Sequence, residues 1–382
     1  MTKQFIYMDH AAATPVDRTV LAAMQPYFTD NFYNPSAIYL AARAVKQDVS
    51  AARAEVAKVI GAKPSEIIFT AGGTEANNLA IAGIMRKYPN SNCVIASTEH
   101  ESIQQVAALF AYKEAMVDAQ GVIDIASLTK VIGPKTVLVS VAYANSEIGT
   151  IQPLIEISKL VQSIRQQRKQ QGNSLPLYLH TDASQAACYL DMHVHKLGVD
   201  LLTLNGGKMY GPKQSGALYV KTGIELSPLI LGGGQEANVR SGTENVPAII
   251  GFARALHIAH QQAKNETTRM FKLQTYFIDR LQKTFPNNAI NGSLKHRLPN
   301  NIHVTLPGID NERVVMELDE RGIMCATGSA CSASSEKPSK VLEAIGLSHD
   351  ESRASLRFTM GRSTTTAQID KTMAALSKIL HQ

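Results

Sequence analysis

The octapeptide Asn205-Gly206-Gly207-Lys208-Met209-Tyr210-Gly211-Pro212 sets one lysine in a glycine turn, directly after the apolar run Val199 to Leu204. A buried strand that ends in such a turn presents the amine at its carboxyl end, where open α/β sheets build their sites. An amine held there can condense with an aldehyde to form a Schiff base. A second segment, Thr70-Ala71-Gly72-Gly73-Thr74-Glu75, follows a strand and opens a helical stretch over Ala76 to Met85. Its glycines permit close backbone approach, and the helix N-terminus offers N–H donors and a positive dipole end to a phosphate. The segment lacks the lysine-bearing pattern of a nucleotide P-loop.

A third segment, Leu179-His180-Thr181-Asp182-Ala183-Ser184-Gln185, puts Asp182 at the end of another strand. A carboxylate there can pair with a pyridinium N–H and keep the ring an electron sink for a carbanion. Gln185 can donate to a phenolate oxygen on the same ring. Amine, phosphate cradle and ring acid are parts that a pyridoxal 5'-phosphate site requires.

The composition agrees with an enzyme. In 382 residues, 45% are hydrophobic and 18% charged, which describes an ordinary globular chain with room for a large domain and a smaller one. The net charge of +6 is modest, and the Arg165 to Lys169 patch carries no aromatic interleaving, so direct nucleic-acid binding is not expected. The apolar run Phe5 to Met8 is cut off by Asp9 and His10, too short for a secretory signal, and no segment reaches membrane-spanning length. Cys93, Cys188, Cys325 and Cys331 show no zinc spacing, no metal site is expected, and a reducing cytoplasm is the natural compartment.

These residues need a scaffold, and the pattern supplies an α/β one. Ile67 to Thr70, Cys93 to Ser97, Val137 to Val141, Leu177 to Thr181, Leu201 to Leu204 and Ala217 to Val220 read as buried strands. Helical segments lie between them: after Pro153, Leu154, Ile157, Leu160, Val161 and Ile164 form one stripe, with Pro153 suited to a first helical position. Such alternation implies a mostly parallel sheet between helices. Asn245 to about Phe285 reads as one long helix leading into a smaller α+β domain with a strand at Ile302 to Leu306 and helices at Arg313 to Arg321 and Ile369 to Leu380. The division expected is a large domain over 16–258, with 1–15 and 259–382 forming the small one.

Seven motifs between these ends carry a resemblance that runs from Tyr7-Met8-Asp9-His10 to Arg357-Phe358-Thr359-Met360-Gly361-Arg362. They include Thr98-Glu99-His100, Glu147-Ile148-Gly149, Arg240-Ser241-Gly242-Thr243 and Gly328-Ser329-Ala330-Cys331-Ser332. The chain resembles the NifS-like cysteine desulfurases, in the class V aminotransferase branch of the fold-type I pyridoxal phosphate enzymes. That resemblance implies a seven-stranded large-domain sheet and a set of roles. Lys208 would hold the cofactor and move protons, and His100 would stack on its ring. Asp182 and Gln185 would act as argued above. Gly73, Thr74, Asn205 and, from a neighbouring subunit, Thr243 would bind phosphate. Ser146 would touch the cofactor. Arg357, with Asn145, would bind the substrate carboxylate. A homodimer with shared sites follows.

Cys331 selects the reaction within that branch. Its small-residue surroundings suit a thiol that must reach a substrate sulfur and then carry it to an acceptor protein. Cys93 and Cys188 read as core residues, and Cys325 as core or a second redox thiol. The resemblance implies conversion of L-cysteine to L-alanine with a persulfide left on Cys331. Selenocysteine lyase, a class V transaminase and a degenerate, partner-binding subunit are the rival readings. Gly207 stands where the family usually has histidine, Asn205 where it has serine, and Ser146 where it has asparagine. The acceptor is open among iron–sulfur assembly, tRNA thiolation and DNA sulfur modification.

Overall fold

Short runs of branched and aromatic side chains build the central sheet of the computed structural model, which describes residues 5–328 and 339–381. After a two-residue strand β1 (Ile6–Tyr7) come seven strands that make one sheet: β2 (Ile67–Thr70), β3 (Asn92–Ala96), β4 (Tyr112–Ala115), β5 (Thr136–Ser140), β6 (Tyr178–Asp182), β7 (Leu201–Asn205) and β8 (Gly216–Val220). Their spatial order is β2-β8-β7-β6-β5-β3-β4. Only β8 runs antiparallel to its neighbours, so β2, β3, β5, β6 and β7 all end at the same edge of the sheet.

The six strands expected from sequence are present, with bounds shifted by about a residue. β4 escaped because it is an edge strand: Tyr112, Lys113 and Glu114 are exposed and only Ala115 is buried, so it carries no apolar run. Both faces of the sheet are covered, which is why its strands read as continuous apolar runs rather than alternating ones.

The helix Val246–Thr284 follows an Asn245 cap whose Oδ1 accepts the Ala248 N–H at 3.2 Å. At 39 residues it is roughly 58 Å long. Its first half buries Phe252 and Leu256 in the core around the large sheet, and its second half buries Met270, Phe277 and Leu281 in a separate core. That second core lies on a three-stranded antiparallel sheet of β9 (Ala289–Ile290), β10 (Asn301–Thr305) and β12 (Ser355–Thr359). Strand β11 (Ile323–Met324) pairs with β1, so the chain's start is tied to its last third. Val341, Leu342 and Ile345 leave that last third to pack into the large-sheet core.

The helix Leu154–Gln170 forms as its stripe predicts, although Pro153 is the residue before the first turn rather than within it. In β10, Ile302 and Val304 point into the smaller core. The alternate residues Asn301, His303 and Thr305 are buried yet polar, and Asn301 reaches across to the Glu147 carbonyl at 3.0 Å. Period-two alternation here separates two buried faces, one apolar and one hydrogen-bonded.

Candidate active site

The parallel strands deliver their functional residues to one edge. β7 ends at Asn205 and runs into a short 3-10 turn, Gly206–Lys208. Lys208 Nζ donates to the carbonyls of Ala11 at 2.7 Å and Ala12 at 2.6 Å. Gln185 Nε2 donates to the same Ala11 carbonyl at 3.0 Å, so amine and amide meet on one acceptor. Thr14 locks this N-terminal turn to the lysine loop: its N–H and hydroxyl both donate to the Gly207 carbonyl, and its oxygen accepts from Tyr210 N–H at 2.8 Å.

Asp182 closes β6. Its Oδ1 accepts the Ser184 N–H at 2.9 Å and its Oδ2 accepts Asn77 Nδ2 at 2.8 Å. Beside it, burial holds the Glu99 carboxyl well above the usual range. Its Oε1 accepts the Ala142 N–H, and the nearby Asp182 charge also favours the proton. His180, also on β6, is pushed down to about 4 by burial, which outweighs the raising effect of Asp182. Asp182 is thus flanked by a carboxyl and an imidazole whose charged forms burial disfavours.

His100 caps the helix Glu101–Ala107, with Nδ1 accepting the Ser102 N–H at 3.1 Å. His100 is exposed. The helix Gly73–Lys87 starts from Gly72 at φ 124°, a conformation open to glycine and strained for other residues. A Cβ on Gly73 would come to 3.0 Å from Ser184 Oγ and 3.3 Å from Asn205 Nδ2. Leaving it off keeps those polar atoms beside free helix-end N–H groups. Asn205 Oδ1 is already spent on the Gly207 N–H at 3.1 Å, which leaves its Nδ2 to face that cradle. A phosphate fits this donor set. A carboxylate, an amine and an exposed imidazole at the same sheet edge fit the rest of pyridoxal phosphate.

Arg357, 2% exposed, enters from β12. Its Nη2 donates to Asp9 Oδ1 at 2.7 Å, its Nη1 to the Ser146 carbonyl at 3.2 Å, and its Nε is buried with no partner. Asn145 ties its own loop to another: Oδ1 accepts the N–H groups of Glu147 and Ile148, and Nδ2 donates to the Thr98 carbonyl. It shapes the turn that carries Ser146. Thr243 is exposed on the loop after Arg240, which pairs with Glu75 at 2.8 Å in the first turn of the Gly73–Lys87 helix. Cys331 lies outside the described residues. Cys93 and Cys188 are buried as expected, each thiol pushed up to about 12 by burial, and the partly buried Cys325 is pushed up likewise.

Asp182 and Asn205 therefore end strands, Gly73 and Thr74 open a helix, and Lys208, Gln185 and His100 follow strands at the same sheet edge. Arg357 on β12 sits against Asp9 and the Ser146 carbonyl. Sequence reasoning missed Asn77, Ser102, Asp9 and the Ala11 and Ala12 carbonyls. Asp9 stands inside the Tyr7 to His10 motif and Asn77 in the helical stretch Ala76 to Met85, but backbone carbonyls leave no trace in residue type.

The fold and this edge-of-sheet site define a class. The chain belongs to the class-V aminotransferase family, whose model matches residues 6–372. Within it, similar curated proteins include cysteine desulfurases. "Cysteine desulfurase IscS" of Dictyoglomus turgidum is 38% identical over 387 residues, covering 100% of this chain and 95% of that protein. The protein of the same name from Methanosarcina thermophila is 38% identical over 99% of this chain and 92% of its own length. Among solved structures, a NifS-like protein superimposes with a TM-score of 0.90 at 29% identity, covering 99% of this chain and all of that one. SspA, solved in complex with cysteine, superimposes at 0.77 with 34% identity over 93% of this chain and 98% of its own.

Proposed function

We propose that the protein is a pyridoxal phosphate-dependent cysteine desulfurase that converts L-cysteine to L-alanine and carries the sulfur as a persulfide on Cys331. Two kinds of support converge: full-length similarity to cysteine desulfurases, and the geometry of the sheet edge. The observation that carries the reading is the Lys208 amine, held by two carbonyls beside Gln185 and facing the same edge as the Asp182 carboxylate. The bound cofactor would supply an electron sink for charge developing at the substrate Cα.

The protein's own groups divide the remaining work. Lys208 binds the aldehyde and moves the Cα proton. Asp182 would hold the ring nitrogen protonated, Gln185 would serve the ring oxygen, and His100 would cover the ring. Gly73, Thr74 and Asn205 Nδ2 take the phosphate, with Thr243 contributed by the second subunit of a homodimer. Ser146, on the turn that Asn145 shapes, would touch the cofactor and substrate. Arg357 takes the substrate carboxylate in a charge-assisted pair. Cys331 attacks the substrate Sγ: a sulfur–sulfur bond forms as Cβ–Sγ breaks, the bonding pair stays on carbon, and a proton completes alanine. The lobe boundary falls within the long helix, near residue 259.

Among the described residues no helix is long and apolar enough to cross a membrane. A cytoplasmic enzyme passing sulfur to an acceptor protein, as in iron–sulfur cluster assembly, completes the proposal. Mass spectrometry after incubation with cysteine tests it. One added sulfur located on Cys331, absent in Cys331→Ala, is expected. Borohydride should fix the cofactor on Lys208 and leave Lys208→Ala unmodified. Sulfide release surviving in Cys331→Ala, or a protein that stays colourless with excess vitamer, would refute it.

A further inference from the structure

The imidazole of His100 is tied to the Asp182 carboxylate through two residues that none of the roles above uses. Asn77, 1% exposed, lies between them. Its Nδ2 donates to Asp182 Oδ2 at 2.8 Å and to Ser102 Oγ at 2.9 Å. Ser102 Oγ in turn lies 2.9 Å from His100 Nδ1.

The direction of each bond follows from the acid end. A carboxylate only accepts, so the Asn77 amide must turn its nitrogen toward Asp182. The same nitrogen gives its second hydrogen to Ser102 Oγ, while Asn77 Oδ1 is buried with no partner. A flipped amide would put that oxygen against the carboxylate, which electrostatics forbids. Ser102 Oγ then accepts from Asn77 and has its one proton for His100 Nδ1. The same ring nitrogen accepts the Ser102 N–H at 3.1 Å. With two donors aimed at it, Nδ1 is the unprotonated nitrogen, and the neutral ring carries its hydrogen on Nε2.

We infer that Ser102, anchored by Asn77, is a positioning residue for His100: it fixes the ring plane and leaves Nε2–H as a donor facing the site. The inference deepens the proposed function, in which His100 lies against the cofactor ring. The residue that sets ring chemistry and the residue that covers the ring then share one rigid support. His100 meets its ligand as a hydrogen-bond donor rather than as a base. The backbone cap and the hydroxyl both donate to Nδ1, and two donors on one lone pair restrict the ring's rotation more than the cap alone.

Nitrogen-15 NMR of the full-length protein, labelled at histidine and assigned by loss of one signal in His100→Gln, reads this directly. The wild type should show a protonated Nε2 and an Nδ1 shifted as a doubly hydrogen-bonded acceptor. Ser102→Ala should move the Nδ1 resonance toward that of an unbonded acceptor, and Ser102→Thr, which keeps the hydroxyl, should restore it. If Ser102→Ala does not fold, Asn77→Ala carries the same test, because it frees the hydroxyl to turn away. A wild-type ring protonated on Nδ1, or an Nδ1 resonance that does not move in these variants, overturns the inference. The spectrum needs no added vitamer, so a protein with the expected ring signals that never binds the cofactor would refute the proposed function alone.

Discussion

Asn77 Nδ2 stands 2.8 Å from Asp182 Oδ2, joining the first turns of one helix to the end of a strand 105 positions later. Its other bond, to Ser102, makes it the shared support of two strand-end loops. Replacing Asn77 with leucine should remove both bonds and leave Asp182 with an unmet acceptor. A loss of about 1–3 kcal/mol is expected in urea unfolding, and it should be larger with the vitamer bound than without it. Equal losses in both states would mean that Asn77 serves only the fold.

Buried Arg357 and partly buried Asp9 form a second relationship, at 2.7 Å. Arg357→Ala should raise the KM for cysteine about a hundredfold and lower stability by about 3 kcal/mol, because the partly buried Asp9 carboxyl loses its partner. The double variant Asp9→Asn/Arg357→Ala should recover part of the stability and none of the KM. Steady-state kinetics beside urea titrations separate the two effects. Arg357→Lys should behave like the alanine variant in KM, since an ammonium cannot serve Asp9, the Ser146 carbonyl and a substrate carboxylate at once.

The cradle offers a gain-of-function test. A Cβ on Gly207 would meet nothing closer than Asn205 Oδ1 at 3.5 Å, so the backbone accommodates a side chain there. Gly207→His should tighten vitamer binding by about tenfold, the effect of one added hydrogen bond to a charged group. Titration of the apo protein by visible absorbance measures it. Unchanged or weaker binding would show that Asn205 already fills the imidazole's place.

Acid should destabilise the protein through His303. Burial, with Arg357 and Arg297 nearby, pushes its ring down to about 3 from an ordinary 6.5. The folded state therefore holds the neutral form while the unfolded chain takes up a proton between those values. The stability is fully present above pH 6.5 and is lost as pH falls toward 3, at about 1.4 kcal/mol per pH unit for this group. His180, pushed down to about 4, adds the same sign over a narrower window. Unfolding midpoints of His303→Gln across pH 4 to 7 should show a shallower slope than those of the wild type; parallel slopes would assign the acid sensitivity elsewhere.

Much of this protein was written in residue order. Apolar runs such as Leu201 to Leu204 marked the buried strands, because a sheet covered on both faces demands them. The segments after those strands marked the site, since residues at a parallel sheet's carboxyl edge share one face whatever their spacing in the chain. The polar edge strand Tyr112–Ala115 and the polar face of Asn301, His303 and Thr305 escaped, for their periodicity reports no apolar core. Residue types could name Lys208, Asp182 and Arg357 as candidates. Only tertiary structure could decide which neighbours fix them: carbonyls of Ala11 and Ala12 for the lysine, Asn77 for the aspartate, Asp9 for the arginine. Hydrogen bonds between segments hundreds of residues apart depend on ångström-scale placement, and a chain read locally carries composition and period but no distances.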